Sequence, residues 1–175
     1  MAGTNIELNP VTHLTTGFIG QPGKRVFYLQ ARKNNEVVTL LIEKQQVEAL
    51  AQGIEEFLGE LQNKFTDLPD APGTYAVENM KLQVPLDPLF RIGQLGLGYD
   101  SDRDLLVLVA QEIVVEGRDP QEANTVRLFA TRSQMRALGK YGLTLIQQGR
   151  PVCGNCGQPI DPEGHFCPRS NGHKH

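Results

Sequence analysis

The chain has 175 residues, 39% of them apolar, a net charge of −3 and no tryptophan. This suits one compact domain of ordinary size with a small appendage. Mild acidity speaks against a large nucleic-acid-binding face, and no apolar run approaches the roughly 18 residues a membrane-spanning helix needs.

The opening stretch MAGTNIELNP has neither a positive n-region nor an apolar h-region, so no export signal is expected. The three cysteines are then expected as reduced thiols or metal ligands in a cytoplasmic protein. Gly20-Gln-Pro-Gly23 predicts a turn between two short strands. Val26–Ala31 is rich in aromatic and β-favouring residues, Lys33-Asn-Asn-Glu36 predicts a hairpin turn, and Val37–Ile42 predicts the next strand. The period then changes. Val47, Leu50, Ala51, Ile54, Phe57, Leu58 and Leu61 recur at spacings of three and four, which predicts one apolar helix face.

Residues 66–88 contain Pro69, Pro72, Pro85 and Pro88 and predict a crossing linker. After it the order recurs. Phe90–Tyr99 predicts a glycine-laced strand, Asp100–Asp104 an acidic turn and Leu105–Val115 a long apolar strand. A polar loop over 116–124 leads to a strand at Thr125–Ala130 and a helix at Ser133–Gln148. Thr131-x-x-Gln134 has the form of a capping box. Displaced by 88 positions, residues 39–58 lie over 127–146: Gln46 on Gln134, Leu50 on Leu138, Ala51 on Gly139 and Ile54 on Gly142. We therefore expect an α+β body of two βββα repeats, forming an antiparallel sheet with two packed helices. The body spans residues 1–150, with repeat one at about 14–65, the linker at 66–88 and repeat two at about 89–149. Glycine is costly inside a helix, so Gly139 and Gly142 predict a close contact there.

Three motifs in the body are set aside. Asp100-x-Asp102-x-Asp104 begins like a calcium loop, but Leu105 stands where glycine is needed and Gln111 where glutamate is needed. The glycines at 93, 96 and 98 reverse the order of a dinucleotide fingerprint and no helix follows them. Lys24 and Arg25, after the Gly20 turn, could contact an anion, yet no helix N-terminus follows to assist.

All three cysteines and three of the four histidines lie in residues 153–175, the sequence CGNCGQPIDPEGHFCPRSNGHKH. Cys153-x-x-Cys156 lets two thiolates reach one ion from a tight turn. Cys167 supplies a third, and a histidine must complete a tetrahedral Cys3His set. His173 is favoured, because Pro168–Gly172 is turn-rich and can fold back; His165 and His175 are the alternatives. Four protein ligands leave no open position, which predicts a structural zinc in a ribbon-like tail over 151–175.

The segments GFIGQPGKRVFYLQAR, IEKQQVEALA, FRIGQLGLGYD and CGNCGQPIDPEGHFCPRSNGH together resemble the domain of unknown function 3090 family, which is made up of uncharacterised bacterial proteins. The resemblance covers nearly the whole chain. It implies Cys153, Cys156, Cys167 and His173 as ligands and carries over no activity. The functional expectation is a non-enzymatic binding or adaptor protein with a protein partner or self-association. One alternative is a nucleic-acid-associated zinc-ribbon factor using Lys24, Arg25 and Arg169. The other is an enzyme holding a small phosphorylated ligand between the repeats.

Overall fold

The structure, a computed structural model, describes residues 3–21 and 23–147. The first half contains β1 (Asn5–Leu8), β2 (His13–Ile19), β3 (Val26–Lys33), β4 (Glu36–Ile42) and α1 (Lys44–Lys64). Lys33 pairs with Glu36, so the β3–β4 hairpin closes with two residues. Asn34 there has φ 55°, a left-handed conformation asparagine tolerates. Between β2 and β3, Gly20 has φ 109°, and a Cβ at that position would stand 2.5 Å from the Lys24 carbonyl oxygen; only glycine fits this turn. At the start of α1 the Gln46 side chain accepts from the Glu43 backbone N–H at 2.8 Å. The predicted apolar positions Val47, Leu50, Ala51, Ile54, Leu58 and Leu61 are all buried.

The second half contains β5 (Ile92–Asp100), β6 (Leu105–Glu112), β7 (Thr125–Thr131) and α2 (Arg132–Gln147). The capping box read from the sequence is present. Thr131 Oγ1 accepts from the Gln134 N–H at 3.0 Å, and Gln134 Oε1 accepts from the Thr131 N–H at 2.9 Å. β6 ends at Glu112, three residues before its predicted end. Ile113 still donates to the Arg91 carbonyl, but Ile113, Val114 and Val115 are about half exposed beyond it.

One expectation is corrected. In place of a single antiparallel sheet there are two: a four-stranded sheet in the order β1-β7-β6-β5 and a three-stranded one in the order β2-β3-β4. The β1–β7 pairing is parallel. The physical reason lies at the seams. Residues 11 and 12 donate to Phe129 on one sheet and Arg32 on the other, and Leu41 and Leu89 exchange bonds with Phe90 and Thr39. The chain passes from sheet to sheet at these corners instead of extending one ladder. β1 was not expected, since NIEL is short and mixed in polarity. It covers the edge of β7 that would otherwise leave backbone groups unpaired.

The inner faces of both sheets and both helices share one core. Leu29 and Leu40 come from one sheet, Leu106, Leu108 and Leu128 from the other, and Ile54, Met135 and Leu138 from the helices; none is more than 2% exposed. α1 and α2 pack against each other, and each also leans on the other half: α1 against β5 and α2 against β2. Gln46 Nε2 donates to the Ile92 carbonyl at 3.1 Å. A Cβ on Gly142 would meet the Val47 and Thr16 side chains.

Residues 66–91 do more than link. They form a strap that carries one 3-10 turn at Val77–Met80. The Arg132 and Arg136 guanidiniums donate to the carbonyls of Pro69 and Ala71, each at 2.9 Å. Tyr75 meets Tyr141 edge to face. Thr15 Oγ1, fully buried, donates to the Met80 carbonyl at 2.6 Å. The Gln30 side chain then pairs with the Gln83 backbone in both directions. Prolines suit such a segment because the bonds holding it come from side chains and a few backbone groups and not from a regular ladder.

Candidate functional site at the root of the tail

The predicted metal ligands Cys153, Cys156, Cys167 and His173, the alternatives His165 and His175, and Arg169 all lie outside the described residues. The described chain ends within α2, at Gln147. Phe18, Ile19, Arg25 and Val26 come from the β2–β3 hairpin, and Leu145 and Ile146 from the helix end. Ile19 and Val26 are register partners, and both are exposed, at 52% and 44%. An apolar pair on a hairpin tip has no core to serve.

Arg25 is placed by the Gly20 turn. Its guanidinium lies 4.3 Å from the centre of the Phe18 ring. Nη1 approaches the carbonyls of Leu145 and Ile146 at 3.4 and 3.5 Å. Arg25 thus ties the hairpin to the last described turn of α2. Lys24 beside it is exposed.

Other cations are engaged elsewhere. Arg91 pairs with Glu43, and Arg127 stands on β7 in register with Glu7 and Val109. Arg132 is 7% exposed and grips Asp104 with two bonds, Nε to Oδ1 at 2.8 Å and Nη2 to Oδ2 at 3.0 Å. The Tyr99 hydroxyl donates to the same carboxylate at 2.8 Å. The Arg132 hydrogen bonds hold the Asp104 carboxyl below its ordinary range. Burial, followed by the Asp104 carboxylate, pushes the Tyr99 phenol up. Asp104 itself has φ 53°.

Next to this pair, a concavity of about 390 Å³ opens between the helices and the strap, bordered by Glu55, Gln62, Asp70, Arg132 and Arg136. Arg136 is bonded to Glu55 at 2.9 Å. Both arginines spend their donors on carboxylates and strap carbonyls, so the arrangement works as a clamp. Sequence reasoning missed it, because no local pattern relates Asp104 to Arg132 or Arg132 to Pro69.

The acidic turn behaves as a turn. Asp100 accepts from the Asp102 N–H and from Arg103, and Asp104 is taken by Arg132. Among the described residues, no group of three or more histidine, cysteine, aspartate or glutamate side chains is placed to hold a metal. No helix of the described residues is long and apolar enough to cross a membrane.

No curated protein and no solved structure matches the chain. A model of the family described as protein of unknown function DUF3090 matches residues 6–167, which takes in both sheets, both helices and the three cysteines. By that match, the chain belongs to the DUF3090 family.

Proposed function

We propose that this protein is a non-enzymatic binding or adaptor protein. Its C-terminal tail, residues 151–175, holds a structural zinc through Cys153, Cys156, Cys167 and His173. The observation that carries this reading is the ligand spacing: every thiolate of the chain falls in one C-x2-C…C…H constellation at its end. The donor chemistry fits zinc, since three thiolates and an imidazole form a closed tetrahedral set. The last described turn of α2 lies beside the exposed Ile19–Val26 pair, where Arg25 bonds the Leu145 and Ile146 carbonyls. We assign the partner contact to this surface.

We read the body as an internal repeat. Supporting this, the capping pairs Glu43–Gln46 and Thr131–Gln134 fall 88 positions apart, at equivalent places on the two helices. Leu41 and Phe129, also equivalent, each bond to the segment that leads into the first antiparallel strand of the other unit. The test combines two measurements. Elemental analysis of the purified protein should give one zinc per chain. Cross-linking in the native cell, with and without nuclease, should capture a partner through Ile19 or Val26 that nuclease does not remove. Loss of the captured species on nuclease treatment would point to nucleic acid instead.

A further inference from the structure

The outer face of the β2-β3-β4 sheet carries a recess of about 300 Å³ beside the strap. His13, Arg32, Lys81 and Gln83 line it, with one carboxylate, Glu78. His13 and Arg32 are direct register partners, so their side chains share one face. No carboxylate among the described residues lies within the 4.0 Å of an ion pair from either Arg32 or Lys81, so two cations face the recess without a paired counter-charge.

The recess is also set in advance. Arg32 Nη1 donates to Gln83 Oε1 at 2.9 Å. The Gln83 backbone is held in both directions by the Gln30 side chain, at 2.7 and 3.0 Å, and Gln30 is anchored in turn on Thr39. The Thr12 N–H and hydroxyl both fix the Arg32 carbonyl. Burial, then the charge of Arg32, lowers the His13 pKa, and a hydrogen bond with the Asn79 backbone partly offsets this.

We propose that this recess binds a small phosphate-bearing ligand, with Arg32 and Lys81 meeting the oxyanion charge and His13 and the Gln83 amide donating to it. A planar guanidinium beside an ammonium is the pairing that suits a tetrahedral oxyanion. The volume admits a phosphorylated metabolite of a few carbons. This inference is independent of the zinc tail.

The test is a titration of the isotopically labelled full chain with inorganic phosphate at constant ionic strength, followed by NMR. Saturable shifts are expected at His13, Arg32 and Lys81, and the His13 imidazole pKa should rise as phosphate fills the recess. His13→Asn identifies that signal among the four histidines. Lys81 is exposed, so Lys81→Ala tests the site without risk to the fold, and Arg32→Gln tests the guanidinium. Each should weaken phosphate by about tenfold or more, the loss of a charge-assisted contact. Absence of saturable shifts, or binding unchanged in both variants, would overturn the proposal.

Discussion

Ala51 and Gly139 face each other where α1 and α2 cross: a Cβ on residue 139 would lie 3.3 Å from the Ala51 Cα. They are the same position of the two helices in the 88-residue register. The small side chain on one helix and its absence on the other set the spacing, and Gly142 repeats this against Val47. Gly139→Val should therefore destabilise the body by about 1–3 kcal/mol through overpacking. Gly59 is the internal control. It lies in α1, is exposed, and a Cβ there would meet nothing within 4 Å. Gly59→Ala should stabilise by about 0.5–1 kcal/mol, because only the backbone term changes. Thermal melting of both variants checks the pair, and the two shifts should have opposite signs.

Asp104 holds a nearly buried arginine. Asp104→Asn leaves the Arg132 charge buried without its counter-charge, and since the Asp104 side chain is itself 42% exposed the cost should be about 1–3 kcal/mol at neutral pH, below that of a fully buried pair. The pH dependence has a definite sign. The folded-state pKa of Asp104 is depressed, so its contribution is complete above the ordinary aspartate value of about 3.9 and is lost as pH falls through the folded value. Denaturant melts of wild type and variant should differ at pH 7 and converge in acid. A difference that stayed constant across that range would show that the pair does not act through charge.

The strap should depend on Gln30. This side chain is 4% exposed and supplies both an acceptor and a donor to the Gln83 backbone. Gln30→Leu keeps the volume but leaves those groups unmatched. That should cost about 1–3 kcal/mol, and residues 80–88 should become the first site of limited proteolysis. Cleavage first appearing elsewhere would mean that Thr15 and the arginine clamp hold the strap without help.

Both helices and most strands were legible because each carries its own period. Val47 to Leu61 fixes a helix face, and Thr131-x-x-Gln134 marks a start. What was illegible depends on contacts distant in sequence. The two-sheet arrangement follows from corner bonds such as Val11 to Phe129. β1 exists because β7 needs an edge partner. The strap is held by Arg132 and Arg136, whose acceptors on it, the Pro69 and Ala71 carbonyls, lie more than sixty residues away. Arg25, read in sequence as a candidate for an anion, bonds a carbonyl of α2, a contact 120 residues distant. Proline-rich composition marks residues 66–88 as irregular but cannot distinguish a loose connection from a fastened one. The cysteine and histidine constellation proposed to hold zinc is the opposite case: its signal is entirely local.

That constellation gives the last prediction. In the proposed site, thiolate ligands would bind the metal strongly, and metal-binding energy becomes folding energy for whatever segment the ligands cross-link. The proposed ligands all lie within residues 153–173, while the common core is built from residues 8–146. Metal removal should then act on the tail and spare the body. Cys167→Ser, or chelation under reducing conditions, should release the zinc and leave the cooperative melting of the body within a few degrees of its original midpoint, the shift that a change of about 1 kcal/mol gives in a domain of this size. Zinc content by elemental analysis and melting by circular dichroism check the two halves separately. A body that unfolded with metal loss would place the tail in the core and reverse this account. Retention of one zinc per chain by Cys167→Ser would remove that residue from the ligand set.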